Sequence, residues 1–184
     1  MSTPSQRFAA AAARFTQLVA DVPSHGWSAP SPCEGWSAAD VVAHVVSTEL
    51  DFMAQRGVAA PETDGLAPVD AWPAVRDAMQ AALDDPTTAT RAFDGYFGPT
   101  TIEATIDRFY SMDLIVHRWD LATATGLAGH AVLHPVEIEQ VRENLVGLEA
   151  AMRSPGLFGP EQPVDGDATD QQRLLAYIGR ATPP

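Results

Sequence analysis

Apolar residues recur at helical spacing through most of the chain. Phe8, Ala11, Phe15, Leu18 and Val22 mark one face of a helix over 4–22. Ser37 and Asp40 form a capping box, with Asp in place of the usual Glu or Gln. It opens a second helix that carries Val41, Val42, His44, Val45, Val46 and Leu50. Trp72, Val75, Met79 and Leu83 predict a third helix over 69–83. Thr100 or Thr101 can cap a long fourth helix running to Gly126, a natural C-terminal stop. Pro135 opens a fifth, with Val141, Leu145, Leu148 and Met152 on its apolar face, that ends before Pro155. Residues 171–178 form a short closing helix. The linker 23–36, with three prolines, two glycines and two tryptophans, is expected to pack across one end of the helices. Residues 57–68 read as a loop, and 91–98 as irregular chain or a short strand. The expectation is an all-α fold in one domain over 1–184, with 155–184 a C-terminal loop and short helix.

The fourth helix breaks its own pattern. At 100° per residue, Ile102, Ile106, Phe109, Asp113, His117, Asp120 and Ala124 fall within about 80° of arc, so the core-facing stripe carries ionisable groups. A buried carboxylate needs compensation, and a histidine one turn away can either share a cation with it or pair with it directly. Of the five histidines, His44 also lies within a helix, on a mostly apolar segment; His25, His130 and His134 lie in loops or at helix ends. His44 taken alone reads as a core histidine. Taken with Asp113 and His117 it completes two imidazoles and a carboxylate, a set that leaves positions open for water or substrate. Zinc fits that set, and nickel or iron(II) are alternatives. Asp120 either competes as the carboxylate or orients a ligand from behind. Asp51 reads as part of a solvated helix face.

Composition narrows the alternatives. All 11 basic residues are arginine, which removes Schiff-base chemistry, a phosphate-loop lysine and a lysine base together. A net charge of -13 disfavours binding to a nucleic-acid backbone. The single cysteine, Cys33, cannot form an internal disulfide; it sits between Pro32 and Glu34 with no basic neighbour in sequence and reads as a buried structural thiol. No signal-peptide core, membrane-length apolar run, glycine-rich nucleotide loop or serine-nucleophile elbow is present, so a cytoplasmic protein off the membrane is expected. The tryptophans read as packing residues. Leu157 and Phe158 are apolar residues that could support a homodimer or pack within their loop.

Three blocks carry a family resemblance: residues 30–44 (PSPCEGWSAADVVAH), 113–126 (DLIVHRWDLATATG) and 172–180 (QRLLAYIGR). Together they resemble an actinobacterial family of the DinB-like superfamily, near the metal-binding domain of mycothiol-dependent maleylpyruvate isomerase. The resemblance implies an up-and-down four-helix bundle with short extra helices and one divalent metal at one end of its core. The isomerase's ligands, a histidine on the second helix and a Glu-x-x-x-His pair on a later one, map onto His44, Asp113 and His117, with aspartate in place of glutamate. The implied chemistry is thiol transfer: the metal lowers the pKa of a small thiol such as mycothiol, which then attacks an electrophilic substrate. The isomerase carries a further C-terminal domain for which this chain leaves little room, so a transferase or isomerase-like activity is expected. A non-enzymatic binding or stress-response protein with a degenerate metal site is the alternative.

Overall fold

The computed structural model describes residues 2–153 and 158–181. It is mostly helical, as the periodicity predicts. The long helices are α1 (Pro4–Asp21), α2 (Ala38–Arg56), α3 (Pro68–Asp84) and α6 (Ser111–Thr125). Shorter ones are α4 (Pro86–Ala89), α5 (Ile102–Thr105), α7 (Pro135–Leu145), α8 (Glu149–Met152) and α9 (Asp170–Tyr177), with a hairpin of β1 (Ala92–Gly95) and β2 (Gly98–Thr101) between α4 and α5.

Helix starts follow local chemistry. Thr3 caps α1 in a box with Gln6, and Pro4 takes the first turn, where a missing N–H costs nothing. Ser37 and Asp40 form the box expected for α2. Gly126, at φ 71°, ends α6 in the left-handed conformation that the stop signal required. Two boundaries differ from expectation. The fourth helix is interrupted by a π turn at Ile106–Tyr110, which rotates the residues before it relative to those after it. The fifth stops at Leu145, because the chain turns through Gly147 at φ 78° before resuming as α8; its expected end at Pro155 lies outside the described residues.

Each long helix packs on two others, α1 and α2 both lying between α3 and α6. Directions follow from cross-links. Ser5 Oγ donates to Asp84 (2.6 Å) and Trp72 Nε1 to Thr16 (2.9 Å), so α3 runs against α1. Arg7 pairs with Asp107 and Asp21 with His130, so α6 runs with α1. His44 meets His117 while Phe52 meets Tyr110, so α2 runs against α6. The sequence of directions is therefore up, down, down, up. This refines the strict alternation of an up-and-down bundle, and the segments 22–37 and 57–67 are long enough to make the crossings.

Phe8, Phe15, Leu18, Met53, Trp72, Met79, Ile106 and Leu114 fill the core. Among the described residues no helix is long and apolar enough to cross a membrane.

Candidate metal centre

The linker and α2 build one side of the centre. Trp36, at the end of the linker, lies with its ring 4.9 Å from His44 and 6.0 Å from His117, closing that end of the bundle as the linker's composition suggested. His44 is the seventh residue of α2. Its ring points across to α6, 4.9 Å from the ring of His117.

Asp113 stands between the two imidazoles. Its Oδ2 is 3.5 Å from His44 Nε2 and its Oδ1 is 3.3 Å from His117 Nε2. Ligands held tetrahedrally at about 2.1 Å from one ion lie about 3.4 Å apart, so these separations suit a shared cation. One ligand atom from each of the three residues lies within 4.8 Å of the others. Aspartate, one methylene shorter than glutamate, still reaches both rings.

His117 is buried and held from behind. Its Nδ1 lies 2.9 Å from Asp120 Oδ2, and that carboxylate also takes the Arg180 guanidinium at 2.9 Å. Asp120 is fully buried; burial pushes its pKa up, but His117 and Arg180 outweigh this and hold it at about 2. A permanent carboxylate at Nδ1 fixes the N–H there and turns the Nε2 lone pair toward Asp113. The Asp113 carboxylate then faces the His117 lone pair at 3.3 Å through Oδ1, and His44 Nε2 at 3.5 Å through Oδ2. Only a cation between them or a proton on the ring makes that arrangement favourable. Without a metal the proton does it: burial lowers the basicity of His117, but Asp113 and then Asp120 hold its pKa well above the usual imidazole value. Asp113 is correspondingly held below the usual carboxylate range, His117 and His44 outweighing the effect of burial.

Cys33, His117 and Asp120 also place ligand atoms within 4.8 Å of one another. That second set is already satisfied. Cys33 Sγ donates to Asp120 Oδ2 at 3.3 Å, and the Arg180 guanidinium sits 3.7 Å from the sulfur, where its charge repels a metal ion. The structure thereby corrects the reading of Cys33 as a buried thiol without a basic neighbour: it is half-buried in a cavity wall, and the fold brings it a cation from 147 residues away.

Two cavities meet at His44, Asp113 and Phe158. One, of about 620 Å³, is polar, with Cys33, Glu34, Gln162 and Arg180 in its walls. The other, of about 480 Å³, is apolar and runs toward the hairpin. Leu157 lies outside the described residues. Phe158 packs against the core and under Arg180, with 5.6 Å from guanidinium to ring centroid, so it serves its own loop. Asp51 is exposed, as expected of a solvated face.

Sequence reasoning missed Glu49. It falls on the stripe of Val41, Val42, Val45, Phe52 and Met53, is 1% exposed, and neither carboxyl oxygen finds a hydrogen-bond partner. Burial first, then the charge of Asp113, pushes its pKa well above the usual carboxylate value. Its position on the apolar stripe of α2 was the available signal. The sign of the pH effect follows. A carboxyl whose folded pKa is raised costs nothing below its unfolded pKa of about 4.3, and an increasing amount as pH rises above it. Glu49→Met is expected to stabilise the metal-free protein by about 1–3 kcal/mol at pH 8 and by less at pH 5. Thermal melts at the two pH values check this, and equal gains would show that Glu49 does not hold a proton in the fold.

Asp120→Asn removes the charge behind His117 and strands Arg180. Zinc affinity, measured by competition with a chelator, is expected to fall about 10–100-fold. Unchanged affinity would mean that His117 does not depend on Asp120 for its orientation.

The family resemblance is borne out. Residues 8–69, spanning α1, the linker and α2 with His44, match the family described as the mycothiol maleylpyruvate isomerase N-terminal domain. This is a mycothiol-related, DinB-like metal-binding family. Asp113 and His117 lie beyond the matched stretch. Two uncharacterized proteins of Mycobacterium tuberculosis, from two strains, are 29% identical over 173 residues, covering 90% of this chain and 91% of each relative. No solved structure matches the chain significantly.

Proposed function

We propose that the protein is a metal-dependent enzyme that transfers a low-molecular-weight thiol, mycothiol in keeping with its family, to an electrophilic small molecule in a transferase or isomerase-like reaction. The observation that carries this reading is the convergence of His44, Asp113 and His117 at the junction of a polar and an apolar cavity.

A divalent ion held by those three residues supplies a Lewis acid that lowers the pKa of a sulfhydryl brought to it. Zinc suits two imidazoles and a carboxylate with a position left open. The residues do the rest. Asp120 holds the His117 ring in the tautomer that presents Nε2, Trp36 covers the imidazoles on one side, and the polar cavity offers Glu34, Gln162 and Arg180 to the polar body of a thiol. In the reaction a sulfur–carbon bond forms as the carbon's bond to its leaving group breaks. The electron pair departs with that group, and the thiol proton passes to solvent. No protein nucleophile is required.

Metal analysis of untagged protein tests the reading. One divalent ion per chain supports it. No ion retained after incubation with excess zinc, nickel or iron(II) rejects it and leaves a binding protein whose His44, Asp113 and His117 close on one another as an ion-pair network.

A further inference from the structure

With the thiol's polar body assigned to the polar cavity, the apolar cavity is left without a ligand. It is walled by Phe97 and Phe109, whose rings stack 18° from parallel at 5.8 Å, together with Tyr96, Tyr110, Met112 and Met152. Among the described residues its wall carries one histidine and one carboxylate, His44 and Asp113, which it shares with the candidate metal centre. A volume of about 480 Å³ falls in the range of small-molecule sites. Two features of the chain make it. The π turn carries Phe109 and Tyr110. The hairpin, turning through Gly98 at φ 105°, sets Phe97 against Phe109 and leaves Tyr96 93% exposed at its tip. A large apolar residue held in water at a cavity mouth is a cost that a ligand can offset.

We propose that this cavity holds the uncharged aromatic body of the electrophile, with its reactive carbon directed at the His44–Asp113 wall. The inference rests on the thiol-transfer reading for its chemistry and on the cavity alone for its ligand class. A ring stacks against Phe97 and Phe109, and apolar contact area selects for substituents that fill the space beyond it. A carboxylate or phosphate in the same place loses its water, finds no arginine among the described lining residues and faces Asp113. The site thus divides its two substrates by polarity: the thiol from the Arg180 side, the aromatic electrophile from the hairpin side.

The test uses metal-free protein and the unreactive probes 4-nitrotoluene, 4-ethylnitrobenzene, 4-butylnitrobenzene and 4-nitrobenzoate, with binding measured by equilibrium dialysis. Affinity is expected to rise about fourfold for each added methylene until the cavity is full. The charged 4-nitrobenzoate should bind at least about tenfold more weakly than 4-nitrotoluene. Phe97→Ser, at a half-exposed position, and Ala151→Phe, which fills the cavity from α8, should each reduce binding of 4-butylnitrobenzene by at least about fivefold, the loss of one ring contact or of the occupied space. Neither should change a zinc titration. Equal affinity along the alkyl series, preference for 4-nitrobenzoate, or parental binding by folded Ala151→Phe would overturn the proposal. Protein that shows the alkyl gradient but takes up no zinc would leave the cavity assignment standing and reject the thiol-transfer reading, so the two failures are distinguishable.

Discussion

Zinc added to the metal-stripped, untagged chain is expected to bind one ion per chain, and His117→Ala to weaken that binding by at least about a hundredfold, more than the loss of a group that only orients a ligand. His117 is the member of the set with the most to lose. It is 5% exposed and meets Asp113 through Nε2 and Asp120 through Nδ1. Its removal leaves both carboxylates with fewer partners. Breaking a fully buried ion pair costs about 3–5 kcal/mol. The cost here is expected to be smaller, about 2 kcal/mol in the metal-free protein, because Asp113 keeps His44 and a third of its side-chain surface, and Asp120 keeps Arg180. The metal-loaded protein should show the larger fall in melting temperature, since the variant also forfeits the stabilisation that a bound ion confers. Calorimetric zinc titration and melts with and without zinc measure both parts. If His117→Ala binds zinc as the parent does, the assignment of ligands is wrong. If it also melts like the parent, the ion-pair alternative fails with it.

Much of this centre was legible because its residues sit on helices whose other positions are apolar. Asp113 and His117 interrupt a periodic stripe, and His44 lies on a helix whose start is written in Ser37 and Asp40. Long helices with local caps carry their signal within a few residues. The parts that could not be read depend on contacts distant in sequence. Cys33 gains Arg180 across 147 residues, and the apolar cavity needs the hairpin, the π turn and α8 to arrive together. The π turn also limits the helical-wheel argument: Ile102 precedes the rotation, Ile106 opens it and Asp113 follows it, so the chain is not the straight helix that their shared arc assumes. Asp113, His117 and Asp120 all lie on the regular part of α6, which is why their mutual placement survived. Glu49 is a different case. Its place on the apolar stripe of α2 is visible in the sequence, but that both its carboxyl oxygens lie buried without a hydrogen-bond partner is a property of the packed bundle.

Conjugation of mycothiol with an aromatic electrophile such as 4-nitrobenzyl chloride is expected on the zinc-loaded protein and absent from the metal-free protein and from His44→Ala. Magnitudes decide where the rate must come from. A free thiol with pKa near 8.5 is about 3% ionised at pH 7, so complete ionisation offers at most about a thirtyfold gain. Lowering the pKa by two units also makes the sulfur a poorer nucleophile, by about eightfold at a Brønsted slope near 0.45, and the net advantage is only about threefold. An acceleration of about a hundredfold or more therefore requires that both reactants be held together. That places the burden on the two cavities flanking His44 and Asp113. Ala151→Phe should accordingly lower kcat/KM for 4-nitrobenzyl chloride by at least about fivefold while zinc content stays at one per chain, because it removes space for the electrophile and touches no ligand. An acceleration near threefold that Ala151→Phe leaves unchanged would reduce the protein to ionising the thiol without positioning its partner. Loss of conjugation in Cys33→Ser, with zinc binding intact, would move the nucleophile to the chain's own sulfur and overturn the thiol-transfer reading.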